Sequence, residues 1–155
     1  MNNEEKKELI IIVIDLNNLL MQYIELHNTL IKNNNFSLHS IFKTINFGML
    51  HKDTDNVLKQ IDISIDKITE IEQSLINDEC EFLIILREYS SSLRTAVHIL
   101  VKILDKLFEK SQGNFQYSYK KYNYYLDNYI LAIDNYEQVG NLFNIKFKEF
   151  NENVI

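Results

Sequence analysis

Not one proline occurs in this chain, and glycine occurs only three times. Proline breaks a helix by removing a donor and clashing with the preceding turn, while glycine supplies the positive φ of tight turns. A chain with almost none of either has few ways to reverse direction sharply. A many-stranded β fold, which needs such corners every few residues, is therefore excluded. What remains is a small number of long, uninterrupted helices. The 155 residues are 46% hydrophobic, which is too apolar for disorder. A chain of about 150 residues buries roughly two-thirds of its unfolded surface, so residues 1–155 are expected to form one all-α domain.

Apolar residues recur at alternating steps of three and four, and these stripes mark the helices. The first helix, about 5–32, carries two apolar lines. One runs Leu9, Val13, Leu16, Leu20, Tyr23, His27, Leu30, and the other Ile10, Ile14, Met21, Ile24, Ile31. Asn33-Asn34-Asn35 is expected to end it, because Asn tolerates the left-handed conformation. Residues 36–51 form a short amphipathic piece with Gly48 as its stop, an extra helix between the first and second long ones.

The second helix, about 54–77, uses Leu58, Ile61, Ile65, Ile68 and Leu75. The third, about 79–112, uses Leu83, Leu86, Leu93, Val97, Leu100, Leu104 and Leu107, with Lys106, Lys110 and Gly113 marking its end. A heptad line through 61–93 would permit one continuous helix. The N-cap pattern of Asp78 with Glu81 favours a turn at Asn77-Asp78 instead. The fourth helix, about 116–150, reads Tyr119, Tyr122, Leu126, Tyr129, Ile133, Tyr136, Gly140, Phe143, Phe147, Phe150. Gly140 on so bulky a face implies close approach of a neighbour. The expected architecture is an antiparallel four-helix bundle with the short extra helix.

Charge is unevenly placed. The net −6 resolves into the second helix, where Asp53 to Glu81 holds nine acidic residues against two lysines. Asp62, Asp66 and Glu70 stack four apart there. A turn at 77–78 brings Asp62 and Asp66 near Arg94 and Glu70 near Arg87, and the next turn brings Asp134 near Arg94. The acidic row otherwise forms a face for a basic protein partner. Nucleic acid is disfavoured as a partner, because phosphate neutralisation needs excess Lys and Arg.

The chemical inventory is sparse. Glu-x-x-His is absent, no zinc spacing exists and no glycine loop cradles phosphate, so neither metal nor cofactor is expected. His27 lies on the inner stripe as a core or rim histidine, with Glu25 as a conceivable partner. Cys80 is expected as a small apolar filler. Arg94 and His98 sit one turn apart on the third helix, within a basic row continued by Lys102, Lys106 and Lys110. This pair resembles the Arg-to-His motif of HEPN-type helical ribonucleases, with a shorter spacer, Thr95-Ala96-Val97, than that motif carries. The resemblance implies RNA cleavage by Arg94 and His98 as an alternative function.

Seven of nine tyrosines fall between Tyr117 and Tyr136. Tyr117, Tyr124 and Leu131 align seven apart, off the core stripe and beside Lys120 and Lys121, the composition of a protein-binding surface. The first helix likewise has more apolar lines than one bundle interior consumes. It is either the fully covered central helix or the owner of a subunit interface. Leu9–Ile14 is too short and too closely flanked by charge for a signal or span, so the expected setting is cytoplasmic, without a membrane. The leading expectation is a non-enzymatic bundle that binds protein: a small acidic regulator, inhibitor or immunity-type protein that forms a homodimer. A small-ligand sensor with a tyrosine-lined interior is a further alternative.

Overall fold

The computed structural model describes residues 1–32, 45–75, 80–113 and 118–152. Four helices account for nearly all of them: α1 (Asn3–Lys32), α2 (Phe47–Ser74), α3 (Glu81–Ser111) and α4 (Tyr119–Glu152). The order of cross-contacts is antiparallel throughout. Asp62 of α2 pairs with Arg94 of α3, and ten residues further along α2 Glu72 pairs with Arg87, seven residues back. Ser74 at the end of α2 bonds Glu5 at the start of α1, and Lys146 late in α4 bonds Glu81 at the start of α3. The molecule is an antiparallel four-helix bundle.

Helix ends follow local chemistry. Asn2 Oδ1 accepts from the Glu4 and Glu5 amides, and the Glu5 carboxylate reaches back to the Asn2 amide, a reciprocal capping box that starts α1. Asn46 Oδ1 accepts from the Met49 amide and starts α2. This beginning corrects two expectations. Gly48 is not a stop but lies in the first turn of α2, where a Cβ would meet the Phe108 ring of α3 at 3.0 Å. The extra helix at 36–51 is not seen: 36–44 lie outside the described residues, and Phe47–His51 belong to α2. α3 ends as its lysine and glycine predict, with Gly113 at φ 74° and its amide bonded to the Lys110 carbonyl. α2 and α3 are separate helices. The Asn77-Asp78 turn and the Asp78 cap lie outside the described residues; the residue before α3 is Cys80, extended, and Glu81 opens the helix.

The central helix is α3, not α1. Its whole stripe is buried, with Phe82, Ile85, Tyr89, Ala96, Val101 and Ile103 added, because it packs along both α2 and α4. α1 packs mainly on α2, and it meets α4 chiefly through long side chains. The core divides into two layers. One end gathers Leu9, Ile12, Leu16, Ile68, Leu83, Leu86 and an aromatic stack, in which Phe82 lies 4.2 Å from Phe150 and Tyr89 lies 4.7 Å from Phe143 by ring centroids. The other end gathers Tyr23, Ile61, Leu93, Val97, Leu100, Leu104 and Tyr129. Gly140 sits under the Tyr89 ring, a Cβ there falling 3.2 Å from it, which is the close approach its place on the stripe implies. Buried hydroxyls of Thr54, Ser64, Ser90 and Ser92 bond carbonyls three or four residues back, so they cost the core little.

Candidate functional site

Where the lighter seam between α1 and α4 closes, it closes on polar tips. Tyr23 and His27 are one turn apart on α1, and both reach Tyr129 of α4. Tyr23 Oη lies 2.7 Å from Tyr129 Oη, and His27 Nδ1 lies 2.7 Å from the same oxygen. Tyr136, two turns along α4, places its ring edge-on to Tyr23 at 5.9 Å. Burial pushes the Tyr23 and Tyr129 phenols well above their ordinary range, so both stay protonated. Burial also pulls the His27 imidazole below 6.5, against an opposing pull from the Glu137 carboxylate. The conceivable Glu25 pairing does not form: Glu25 faces solvent and the imidazole takes a phenol instead.

The direction of the protons follows from burial. Tyr23 is almost fully enclosed, and its hydroxyl proton has one partner, Tyr129 Oη. Leaving a buried donor unmet costs about 1–3 kcal/mol, more than leaving one lone pair idle. Tyr23 therefore donates to Tyr129, and Tyr129 spends its own proton on His27 Nδ1. The imidazole, kept neutral by burial, carries its hydrogen on Nε2.

The surfaces named from the sequence divide. Tyr124 and Leu131 stand 65% and 66% exposed on the outer face of α4, with Leu142 and Ile145 beyond them; Tyr117 lies outside the described residues. The second line of α1 is split: Ile14 and Met21 are more than half exposed and Ile31 nearly so, whereas Ile10 and Ile24 are part-buried and Ile24 packs against the core. Ile11, off that line, is exposed beside Ile14. Tyr119 is a correction to the α4 stripe, since it overhangs the first turn in solvent. Within the acidic row only Asp62 meets an arginine, Arg94. Residues four apart drift about 40° around a helix of 3.6 residues per turn, so Asp66 and Glu70 rotate progressively outward. Both are exposed, and Arg87 takes Glu72 at 3.0 Å rather than Glu70.

The Arg94–His98 pair sits differently from a phosphate clamp. The Arg94 guanidinium is engaged by the Asp62 carboxylate, which an incoming phosphate would have to displace, while His98 points to solvent. Cys80 is half-buried against the aromatic end of the core, as a filler would be. By length and composition alone the helix Asn3–Ile31 could cross a membrane, its most apolar 18-residue stretch having mean hydropathy 1.6, although one face of it is packed on α2. The chain matches no protein-family model, no curated protein and no solved structure, so its own geometry carries the functional reading.

Proposed function

We propose that this chain is a non-enzymatic binding protein that works through protein–protein contact, with the outer aliphatic line of α1 as its first surface and a second copy of the chain as the first occupant. The observation that carries this is the exposure of Ile11, Ile14 and Met21, at 56%, 53% and 53%, on a helix whose inner face is already packed. Covering the exposed half of each such side chain is worth about 1 kcal/mol, half of what full burial gives. Two copies meeting on this line about a twofold axis would cover both at once. The outer face of α4 supplies a second surface, with Tyr124 as a rigid amphipathic anchor beside Leu131. Asp66 and Glu70, left facing solvent, suit a basic partner protein, and a regulator, inhibitor or immunity-type role fits a small acidic bundle of this kind.

Light scattering across a micromolar concentration series tests the reading. A concentration-dependent dimer that Ile14→Glu converts to monomer is the expected result. A monomer throughout rejects the second copy as occupant. Flotation of the chain with phospholipid vesicles would assign the α1 line to a bilayer and overturn the proposal.

A further inference from the structure

The α1–α4 seam encloses an open space beside the tyrosine–histidine cluster, away from the Ile11, Ile14 and Met21 surface used above. It measures about 270 Å³, and Leu30, Ile103, Tyr122, Leu126 and Ile133 form most of its wall. His27 and Tyr129 stand together at its polar corner. The half-exposed Ile31 and Ile130 complete the lining, so its approach from solvent is apolar too. Sites for small molecules share this character of mostly apolar walls with few polar groups that fix orientation, and the volume lies just under the roughly 300 Å³ at which such sites begin, so the ligand must be small. Water gains little here, since a bound water needs two to four polar partners and the walls offer almost none.

We propose that this pocket binds a small, mainly apolar, uncharged molecule whose one polar group accepts a hydrogen bond, such as a ketone or ester, with His27 Nε2–H as the donor. The hydroxyl relay assigns the donor. Tyr23 hands its proton to Tyr129 and Tyr129 hands its own to Nδ1, so the remaining ring nitrogen must give rather than take. The choice of an uncharged ligand follows from the charges around it. No lysine or arginine lines the pocket among the described residues, and the Glu137 carboxylate acts on the imidazole from α4. An anion would enter against that field.

Acetophenone, ethylbenzene and benzoate separate these elements, since the first two share a shape and differ in the carbonyl, while the third adds charge. Titrated into the full chain with ¹⁵N-histidine and backbone amide labelling, acetophenone is expected to give saturable shifts at His27, Leu126 and Tyr129. His27 is expected to show the Nε2–H tautomer, with Nε2 moving on binding. Ethylbenzene is expected to bind about fivefold more weakly, the ordinary worth of one hydrogen bond, and benzoate more weakly than acetophenone. Ile133→Trp, which fills the space with an apolar ring, should abolish the shifts while helical circular dichroism persists. His27→Leu should erase the preference for acetophenone over ethylbenzene; if that variant does not fold, the ligand comparison on the parent chain still decides. The proposal is overturned by any of three results: no saturation with acetophenone, equal affinity for ethylbenzene, or an Nδ1–H tautomer.

Discussion

Tyr129 serves two partners with one hydroxyl, and this makes it more costly to remove than either of them. Tyr129→Phe strands the enclosed Tyr23 donor and the His27 Nδ1 acceptor together. The expected loss is about 1–3 kcal/mol, the penalty of an unmet buried donor, whereas Tyr23→Phe removes the end of the relay and costs about 0.5–1.5 kcal/mol. Urea melts of the two variants check the order; equal losses would contradict the proton direction. His27 adds a pH signature. Burial depresses its folded-state pKa below the unfolded 6.5, so the unfolded chain takes up a proton first on acidification. The stability tied to neutral His27 is full above 6.5 and is lost as pH falls through the lower folded value. The difference in Tm between the parent chain and His27→Gln should therefore shrink as pH drops below 6.5, with the carboxylates common to both cancelling. A difference that holds constant with pH would show that His27 titrates alike in both states.

At the scale of the helix, the readable features were those that a single helix determines. Every residue of the α3 stripe is buried, because a 3.6-residue period needs no partner to be seen, but the buried face is wider than the stripe, since its width depends on packing against both α2 and α4. Gly140 was legible for the same reason, as a gap in a bulky line. What lay beyond the sequence was register between helices distant in the chain. Tyr23 and Tyr129 are 106 residues apart, and only packing across the whole core brings them together. A signal did exist: polar tips on the inner stripes of both α1 and α4 must find partners when buried, which argues for each other's company. Gly48 misled because its role depends on Phe108, an interaction invisible within its own segment. Two substitutions test the helix-level account. Gly140→Leu pushes a branched side chain into the Tyr89 ring and should cost about 1–3 kcal/mol in a denaturant melt. Asp62→Asn should cost no more than about 1 kcal/mol, because the pair with Arg94 is partly exposed. Glu70→Gln, which breaks no pair, should cost less again, and the reverse order would overturn the drift argument for the acidic row.

For the molecule as a whole, the packing is unequal around the ring of helices. α3 is embraced by α2 and α4, α1 leans on α2, and the α1–α4 seam is joined mainly by long side chains and holds an open pocket. Local opening follows low contact density, so the bundle should open at that seam before it opens anywhere through α3. Amide hydrogen exchange under native conditions measures this directly. The amides of Leu93 to Leu104, where the inward side chains Leu93, Ala96, Val97, Leu100 and Leu104 are almost wholly enclosed, should exchange only by global unfolding and so report the full stability. Those of α1 around Ile14 to Met21 and of α4 around Ile130 to Asn141 should exchange faster, through a partial opening that spares α2 and α3. A ligand in the pocket joins both sides of the seam and is lost on partial and on global opening alike, so it should slow exchange at the seam and at the α3 amides by the same factor, 1 + [L]/Kd. Dimerisation on the outer line of α1 predicts a different pattern: protection that rises with protein concentration, centred on Ile14 and Met21 and weaker at Tyr129. One exchange experiment, run at two protein concentrations with and without acetophenone, thus separates the two surfaces of α1. Equal protection of α1 and α3 under all four conditions would mean that the four helices open as a single unit and that the seam is no weaker than the core.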